Sequence, residues 1–266
     1  MAGTNDYRIA AVDRALMVLE ALAERPDQGV TQIAQRLGLT KSIVFRLLQT
    51  LEARGFVARD PQRSIYALGY RMSVLGEQAG RQRGLLAAAA QAMDALRDAT
   101  SENVNLVVRD DLHSLVLATR AGRHAIRLFA EAGRRGPLHA GGGSQLLLAF
   151  APEEVRGAVL AGELAVYTPH TVTDPERLGR TLERIRAAGY NIAMNDLDEG
   201  AFSVAAPIVD ERGAAIAAIS VAGSVVRLDE DRRQTYLAAA LAAAAEISRR
   251  LSGQPEGAPG DRDEAA

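Results

Sequence analysis

The sequence predicts an α+β protein, with an N-terminal winged helix-turn-helix and a C-terminal α/β domain built on a curved antiparallel sheet. The chain has 266 residues, more than one small domain usually needs. Three helical patterns and a hairpin pattern come first, and strand patterns between long helices follow. We expect a winged domain at 7–69, a linker helix at 70–84, a larger domain at 85–251 and a disordered tail at 252–266.

The composition is that of a soluble globular protein. Hydrophobic residues make up 48% and charged residues 24% of the chain, and cysteine is absent. No apolar run approaches the roughly 20 residues that span a bilayer, and the N-terminus does not resemble a signal peptide. A chain without cysteine has no disulfide framework or thiolate metal site. We therefore expect a cytoplasmic protein without a membrane partner.

The charge is unevenly distributed between the two predicted parts. The whole chain carries a formal charge of -2. Residues 1–84 hold 12 basic and 8 acidic side chains, a net charge of +4, whereas residues 85–266 carry a net charge of -6. Only the first part is therefore suited to phosphate groups.

Three helices are predicted in the first part. The first, at 11–25, carries an apolar stripe of Val12, Leu16, Leu19 and Ala23. Thr31 is the expected cap of a short second helix that Gly38 ends. The third helix begins after Thr40, and its inward stripe ends before Gly55. The stripe consists of Ile43, Val44, Leu47, Leu48 and Leu51.

A hairpin and a polar helix complete the first part. Strand-like residues at 56–59 and 65–68 flank a turn that contains Pro61, which is typical of the wing of such a domain. The helix at 70–83 has Met72, Leu75 and Ala79 on one side. We expect this side and the first helix to contact a second copy of the chain.

The third helix has the two faces that a DNA-reading helix needs. Its apolar stripe anchors it, and the opposite face is polar and includes Lys41, the only lysine of the chain. The first turn of such a helix also favours phosphate. We predict DNA contacts from this helix, the helix before it and the wing: Thr31, Thr40, Lys41, Ser42, Phe45, Arg46, Gln49, Arg63 and Tyr66.

The second part reads as mixed helix and strand. Helices are predicted at 85–99, 144–150, 152–160, 175–188 and 229–250. Strands are predicted at 104–109, 114–119, 125–129, 190–194, 204–209 and 215–221. This order indicates a curved antiparallel sheet with helices packed against it.

The chain resembles the IclR-type transcriptional regulators over residues 7–250. The first part carries Arg14-Ala15-Leu16, Leu37-Gly38-Leu39, Arg46-Leu47-Leu48, Gly55-Phe56-Val57 and Tyr66-Ala67-Leu68-Gly69. The second part carries Pro137-Leu138-His139-Ala140, Gly189-Tyr190, Ser203-Val204-Ala205-Ala206-Pro207 and Ile219-Ser220-Val221. The resemblance implies a GAF-like effector-binding domain and a dimer, or dimer of dimers, on a palindromic operator. It also implies that a metabolite changes DNA affinity or contacts with RNA polymerase.

The effector site is expected around a glycine loop that opens a helix. Backbone N–H groups there can converge on a carboxylate, and glycine allows a close approach. By resemblance, Ser203 and Ser220 line the same pocket. The predicted site residues are Ala140, Gly141, Gly142, Gly143, Ser203 and Ser220.

The chain departs from the family pattern at two pocket positions. Ala193 stands where relatives often have an acidic residue, and Ala222 where a second serine often follows Ser220. A less polar pocket favours a ligand with an apolar body, and we expect a monocyclic aromatic acid rather than a two-carbon keto acid. No cofactor is expected, and the regulated genes are expected to be catabolic.

Other functions are less well supported. A hydrolase using His139 with Ser144 or Ser203 lacks the G-x-S-x-G elbow. The histidines do not have the spacing of a helical metal site, and the stretch from Asp196 does not match a calcium loop. A regulator that acts through protein contacts without an effector would share the DNA-reading helix and stays an open alternative.

Overall fold

The computed structural model describes residues 9–124 and 131–252. The chain forms two compact units that divide between Arg83 and Gly84. The helix predicted as a linker is therefore the last element of the first unit. In the described ranges, no helix has the length and apolar character that crossing a membrane requires.

The first unit is a three-helix bundle followed by a hairpin and a helix. Its elements are α1 (Ala10–Glu24), α2 (Val30–Leu37), α3 (Lys41–Ala53), β1 (Val57–Asp60), β2 (Ile65–Leu68) and α4 (Tyr70–Arg83). Strands β1 and β2 pair antiparallel, from Val57 opposite Leu68 to Asp60 opposite Ile65. The hydrophobic core of this unit includes Val18, Leu22, Ile33, Val44, Leu48, Val57 and Tyr66.

Helix α1 has two apolar faces, and the one that packs in the core differs from the predicted stripe. Of the predicted stripe only Leu19 is buried, whereas Val12 and Leu16 are more than half exposed. The core face holds Val18 and Leu22 instead. The apolar stripe is real, but within one chain it faces solvent.

Of the two predicted helix N-caps, the cap of α3 is confirmed and the cap of α2 is wrong. Gly29, not Thr31, caps α2, and the side chain of Gln32 accepts a hydrogen bond from its N–H at 2.8 Å. Thr40 caps α3 as predicted, because its hydroxyl accepts from the Ile43 N–H. Glycine is an accepted N-cap, and Thr31 is the second residue of the helix.

The second unit is a sheet with helices on both faces. Its helices are α5 (Leu85–Thr100), α6 (Gly142–Ala149), α7 (Glu153–Ala161), α8 (Pro175–Ala188) and α9 (Glu230–Leu251). Its strands are β3 (Asn103–Asp110), β4 (His113–Arg120), β5 (Arg135–Pro137), β6 (Asn191–Met194), β7 (Ala201–Val209) and β8 (Ala215–Ser224). They form one curled antiparallel sheet in the order β5-β4-β3-β8-β7-β6.

Alternation along the strands supplies one core on each face of this sheet. Val204 and Ala206 of β7 pack with α5 and α9, whereas Ala205 between them packs with α6 and α8. The first turn of α6 is thereby held against the middle of the sheet. All eight residues of α6 are buried.

Several predicted boundaries differ from the structure. Helix α6 begins at Gly142, so two glycines assigned to a loop form its first turn. Strand β5 was not predicted, because three residues are too short for a periodic pattern. The strand predicted at 125–129 lies outside the described residues. The tail predicted at 252–266 also lies outside them, except that Ser252 caps α9.

Candidate DNA interface and effector cavity

Helix α3 presents a polar face to solvent. Val44 and Leu48 are fully buried in the core of the first unit. Lys41, Ser42, Arg46 and Gln49 are exposed, and so is Phe45, at 46% of its surface. The buried face fixes the helix, and the opposite face offers a cation, hydroxyl, guanidinium and amide to a ligand.

The other predicted DNA contacts are distributed between α2, the turn before α3 and the wing. Thr31 in the first turn of α2 and Thr40 are exposed. Arg63 is exposed in the turn of the wing, and its N–H donates to the Asp60 carboxylate at 3.2 Å. These positions leave the side chains accessible to a duplex.

The prediction that Tyr66 contacts DNA is wrong in this structure. Tyr66 is only 2% exposed and forms part of the core of the first unit. Strand periodicity turns its ring inward, and its backbone pairs with Gln28. Arg59 on the neighbouring strand is exposed and places its guanidinium 5.8 Å from the Tyr66 ring centroid. A cation that the sequence analysis missed therefore occupies the wing surface.

A cavity of about 110 Å³ lies between the first turn of α6 and the sheet of the second unit. Of the six residues predicted for the effector site, Gly141, Gly142, Gly143, Ser203 and Ser220 line it. Ala140 is fully buried and does not line the cavity. Ala193 and Ala222, the two departures from the family pattern, lie in the cavity wall.

The first turn of α6 is shaped by its glycines. A Cβ at Gly142 would lie 2.6 Å from Ser203 Oγ, so this glycine lets the helix approach β7. Gly141 adopts φ 89°, and its N–H donates to Asp196 Oδ2 at 2.8 Å. The N–H groups of Gly142 and Gly143 belong to a first helical turn, where no carbonyl of the helix accepts from them. They are suited to an anion.

The cavity is more polar than the sequence analysis expected. Asn103 and Asn105 of β3 reach it, together with Asp196 and Arg134. Burial raises the pKa of the Asp196 carboxyl, and the N–H of Gly141 partly opposes this rise. Arg134 is the basic residue of the lining, and its side chain is 45% exposed.

These four residues gave no clear signal in the sequence. Arg134 precedes the three-residue strand β5, and Asp196 lies in the connection after β6. Only the sheet pairing of β4 with β5 and the contact from Gly141 bring them to the cavity. The nearest hint was the cluster of Asp196 and Asp198, which was assessed only as a calcium loop.

The polar groups considered for catalysis are used structurally. His139 Nε2 lies 2.9 Å from the carbonyl oxygen of Ala165, and Ser144 Oγ donates to Ser114 Oγ at 2.9 Å. His139 is therefore not paired with either serine of the imagined hydrolytic set. In the described part of the chain, no three His, Asp or Glu residues are grouped to hold a metal ion.

Comparison with known proteins places both units in one family. Residues 11–61 match the IclR helix-turn-helix domain, and residues 78–249 match the family described as bacterial transcriptional regulator IclR C-terminal. The chain is 35% identical over 241 residues to the HTH-type transcriptional regulator BhcR of Paracoccus denitrificans. This alignment covers 90% of the chain and 86% of BhcR.

Two solved structures are similar over almost their whole length. An IclR transcriptional regulator from Alicyclobacillus acidocaldarius has a TM-score of 0.86 and 27% identity, covering 93% of this chain and all of that one. An IclR homologue from Microbacterium hydrocarbonoxydans, complexed with 4-hydroxybenzoate, has a TM-score of 0.82 and 29% identity. That match covers 91% of this chain and 98% of the homologue.

Proposed function

The chain belongs to the IclR family of transcriptional regulators, which are non-enzymatic DNA-binding proteins, and on that premise we propose how it is controlled. A small aromatic carboxylate binds the cavity beside α6 and changes operator binding or the contact with RNA polymerase. The regulated genes form a catabolic operon that handles this acid. Because the target is chromosomal DNA, the protein works in the cytoplasm.

The observation that carries this proposal is the arrangement of donors around the cavity. Gly142, Gly143 and Arg134 all belong to its wall, and the guanidinium of Arg134 lies 3.9 Å from the carboxylate of Asp198. A carboxylate between them gains from the helix dipole and from a cation, and charge-assisted hydrogen bonds are the stronger kind. Ser203 and Ser220 add hydroxyl donors from the sheet.

The aromatic character of the ligand is argued from the remaining wall and from size. Val107, Val116 and Leu197 supply apolar surface. An engineered cavity of about 150 Å³ accommodates benzene, so a cavity of this order suits a single ring. Apolar burial contributes about 25 cal/mol per Å², which a two-carbon acid cannot gain. The homologue complexed with 4-hydroxybenzoate supports the same ligand class.

We further propose that the chain binds a palindromic operator as a dimer or a dimer of dimers. One recognition helix reads too few base pairs to select a promoter, and two-fold symmetry doubles the contacts. The apolar stripe of α1 is available for such an interface, with Val12 and Leu16 exposed. On α4, Val74 and Leu75 are also exposed, at 42% and 41%.

Calorimetry on the full chain tests the ligand assignment. We expect saturable binding of 4-hydroxybenzoate and weaker binding of glyoxylate. Arg134→Gln should weaken 4-hydroxybenzoate binding about tenfold or more, because an ionic hydrogen bond contributes about 1.5 to 3 kcal/mol. Chromatin capture with tagged protein would then identify the promoters and the pathway.

Arg135→Gln is the matched control for this variant. Arg135 is the next residue, makes an ion pair with Asp110 at 2.8 Å and does not line the cavity. The control should bind 4-hydroxybenzoate like the parent protein. Equal losses of affinity for 4-hydroxybenzoate in both variants would show that the carboxylate does not bind in the cavity. Absence of binding by any aromatic acid would favour the regulator that works without an effector.

A further inference from the structure

A second depression lies beside the edge strand β6, outside the effector cavity. We call it the basic groove and define it by Arg177, Arg180 and Arg184 of α8 together with His170 and Met194. Its volume is about 360 Å³. The groove combines three guanidinium groups with a recessed floor.

The three arginines form one row on the exposed face of α8. Their spacing of three and four residues places them above one another, over about 10 Å of helix. Leu178, Leu182 and Ile185 bury the opposite face in the core of the second unit. The buried face fixes the helix, so the row is held in place over the groove.

The positive charge of this row is only partly neutralised. Arg180 lies 3.7 Å from Glu176, and both side chains are largely exposed, so the pair is weak. Within the described ranges, Arg177 and Arg184 make no ion pair. Asp196 is the acidic residue of the lining, and burial raises the pKa of its carboxyl.

The floor of the groove is polar and rigid. Asn191 and Gln145 line it and are nearly fully buried, at 6% and 4% exposure. Asn191 Nδ2 donates to the carbonyl oxygen of Gly142 at 3.0 Å and to Gln145 Oε1 at 3.1 Å. Fixed amides beneath a row of guanidinium groups make a concave site that suits a small ligand.

We propose that the basic groove binds a small organic or inorganic polyanion with at least two phosphate or carboxylate groups. Guanidinium groups recognise both kinds of group in paired hydrogen bonds. Neighbouring arginines of the row can each take one anionic group, while the polar floor receives the remainder of the ligand. The groove adjoins the effector cavity, and the two share Ala193 and Asp196 in their walls. The proposal does not depend on the ligand assigned to that cavity.

Titration calorimetry on the full chain, at constant ionic strength, tests the proposal with pyrophosphate and citrate as probes. We expect saturable binding of one of them, or of both. Binding of pyrophosphate alone identifies a phosphoryl ligand, and binding of citrate alone a carboxylate ligand. In the double variant Arg177→Gln/Arg184→Gln, affinity for the bound probe should fall about tenfold or more.

Arg186→Gln is the matched control, because Arg186 is exposed on the same helix but does not line the groove. It should leave probe binding unchanged. All the substituted side chains are exposed, so thermal melts should coincide with that of the parent protein. Weakening in the control in proportion to the single charge that it removes would show a general charge effect and overturn the proposal. Absence of saturable binding up to millimolar probe would also overturn the proposal. Loss of operator affinity in the double variant alone would overturn it too, because the arginine row would then bind DNA phosphates.

Discussion

The guanidinium of Arg227 donates two hydrogen bonds to the carboxylate of Glu102, at 2.6 and 2.7 Å, across 125 positions of the chain. Glu102 is only 2% exposed, and a Cβ at Gly223 would lie 2.4 Å from its Oε2. Pairing with Glu102 raises the pKa of Arg227. Glu102 also directly precedes Asn103, which lines the effector cavity. The ion pair therefore joins the segment after β8 to the start of β3, next to the cavity.

Arg227→Gln should lower the free energy of unfolding by about 3 to 5 kcal/mol, because it leaves a buried carboxylate without its main partner. Arg233→Gln removes the same charge from an exposed pair with Glu230 and should cost about 1 kcal/mol or less. Urea denaturation of both variants measures the difference. Similar small losses in the two variants would mean that Glu102 is solvated in the native state.

Gly142→Ala should destabilise the protein by roughly 1 to 3 kcal/mol, because the new methyl group would be forced against Ser203. The neighbouring glycine offers the matched comparison. A Cβ at Gly143 would meet Val107 Cγ2 at 3.4 Å, an ordinary contact, and alanine is the better helix former. Gly143→Ala should therefore be neutral or stabilise by up to about 1 kcal/mol. Denaturation curves in which Gly142→Ala is the better tolerated change would contradict this packing.

Ligand affinity should depend on pH through Asp196, whose pKa is raised mainly by burial. Below that raised pKa the carboxyl is neutral. As the pH rises through it, the carboxylate formed repels an anionic ligand, so affinity for 4-hydroxybenzoate should fall. Calorimetry across this range should show the fall in the parent protein and a flatter profile in Asp196→Asn. An equal pH dependence in both proteins would exclude Asp196 as its source.

The protonation of Asp196 also changes the free energy of unfolding with pH. A carboxyl whose folded pKa is raised binds its proton more tightly in the native state than in the unfolded chain. The contribution of Asp196 to the free energy of unfolding therefore falls as the pH rises from its ordinary pKa through the raised one. Asp196→Asn should remove this part of the pH dependence.

Operator binding should separate the roles of two residues on α3. Lys41→Gln should weaken binding to all sequences and reduce the salt slope by about one unit, as expected for a phosphate contact. Gln49→Ala should cost about 1 to 3 kcal/mol and relax the sequence preference. Arg212→Gln, a charge change in the β7–β8 turn of the second unit, is the control for Lys41. Titrations at several salt concentrations measure operator affinity. If neither α3 variant changes it, α3 is not the helix that contacts the operator.

How much the sequence could predict is best seen by comparing α3 with the cavity. The inward stripe of α3 follows from local periodicity, and its Val44 and Leu48 are indeed fully buried. The cavity instead depends on contacts between distant segments, such as Gly141 with Asp196. Periodicity does not report such contacts, so Arg134 and Asp196 were missed although the glycine turn was found.

Helix α1 shows a second limit of pattern reading. Its sequence has an apolar residue on nearly every side. Hydrophobicity alone cannot distinguish the face that packs in the core of the unit from a face that packs against a partner molecule. The stripe of Val12 and Leu16 was the more regular, yet Val18 and Leu22 form the core. Only the positions of α2 and α3 decide between them.

This exposed stripe leads to the prediction that Leu16→Glu disrupts self-association. Leu16 is 53% exposed, and Ile9 and Val12 beside it are 69% and 54% exposed. Since a charge buried in an apolar interface without a partner is costly, the variant should shift the protein towards monomers and weaken operator binding. Its own fold should be unaffected, because the core face of α1 is unchanged. Sedimentation velocity at micromolar concentration measures the shift.

Ala10→Glu supplies the control, because it adds the same charge to an exposed position of α1 that lies off the stripe. It should sediment and bind operator like the parent protein. If Leu16→Glu also behaves like the parent in both measurements, α1 is not the interface, and the exposed residues of α4 become the next candidates. If the parent protein is itself a monomer and its operators lack inverted repeats, the proposed two-fold assembly is wrong.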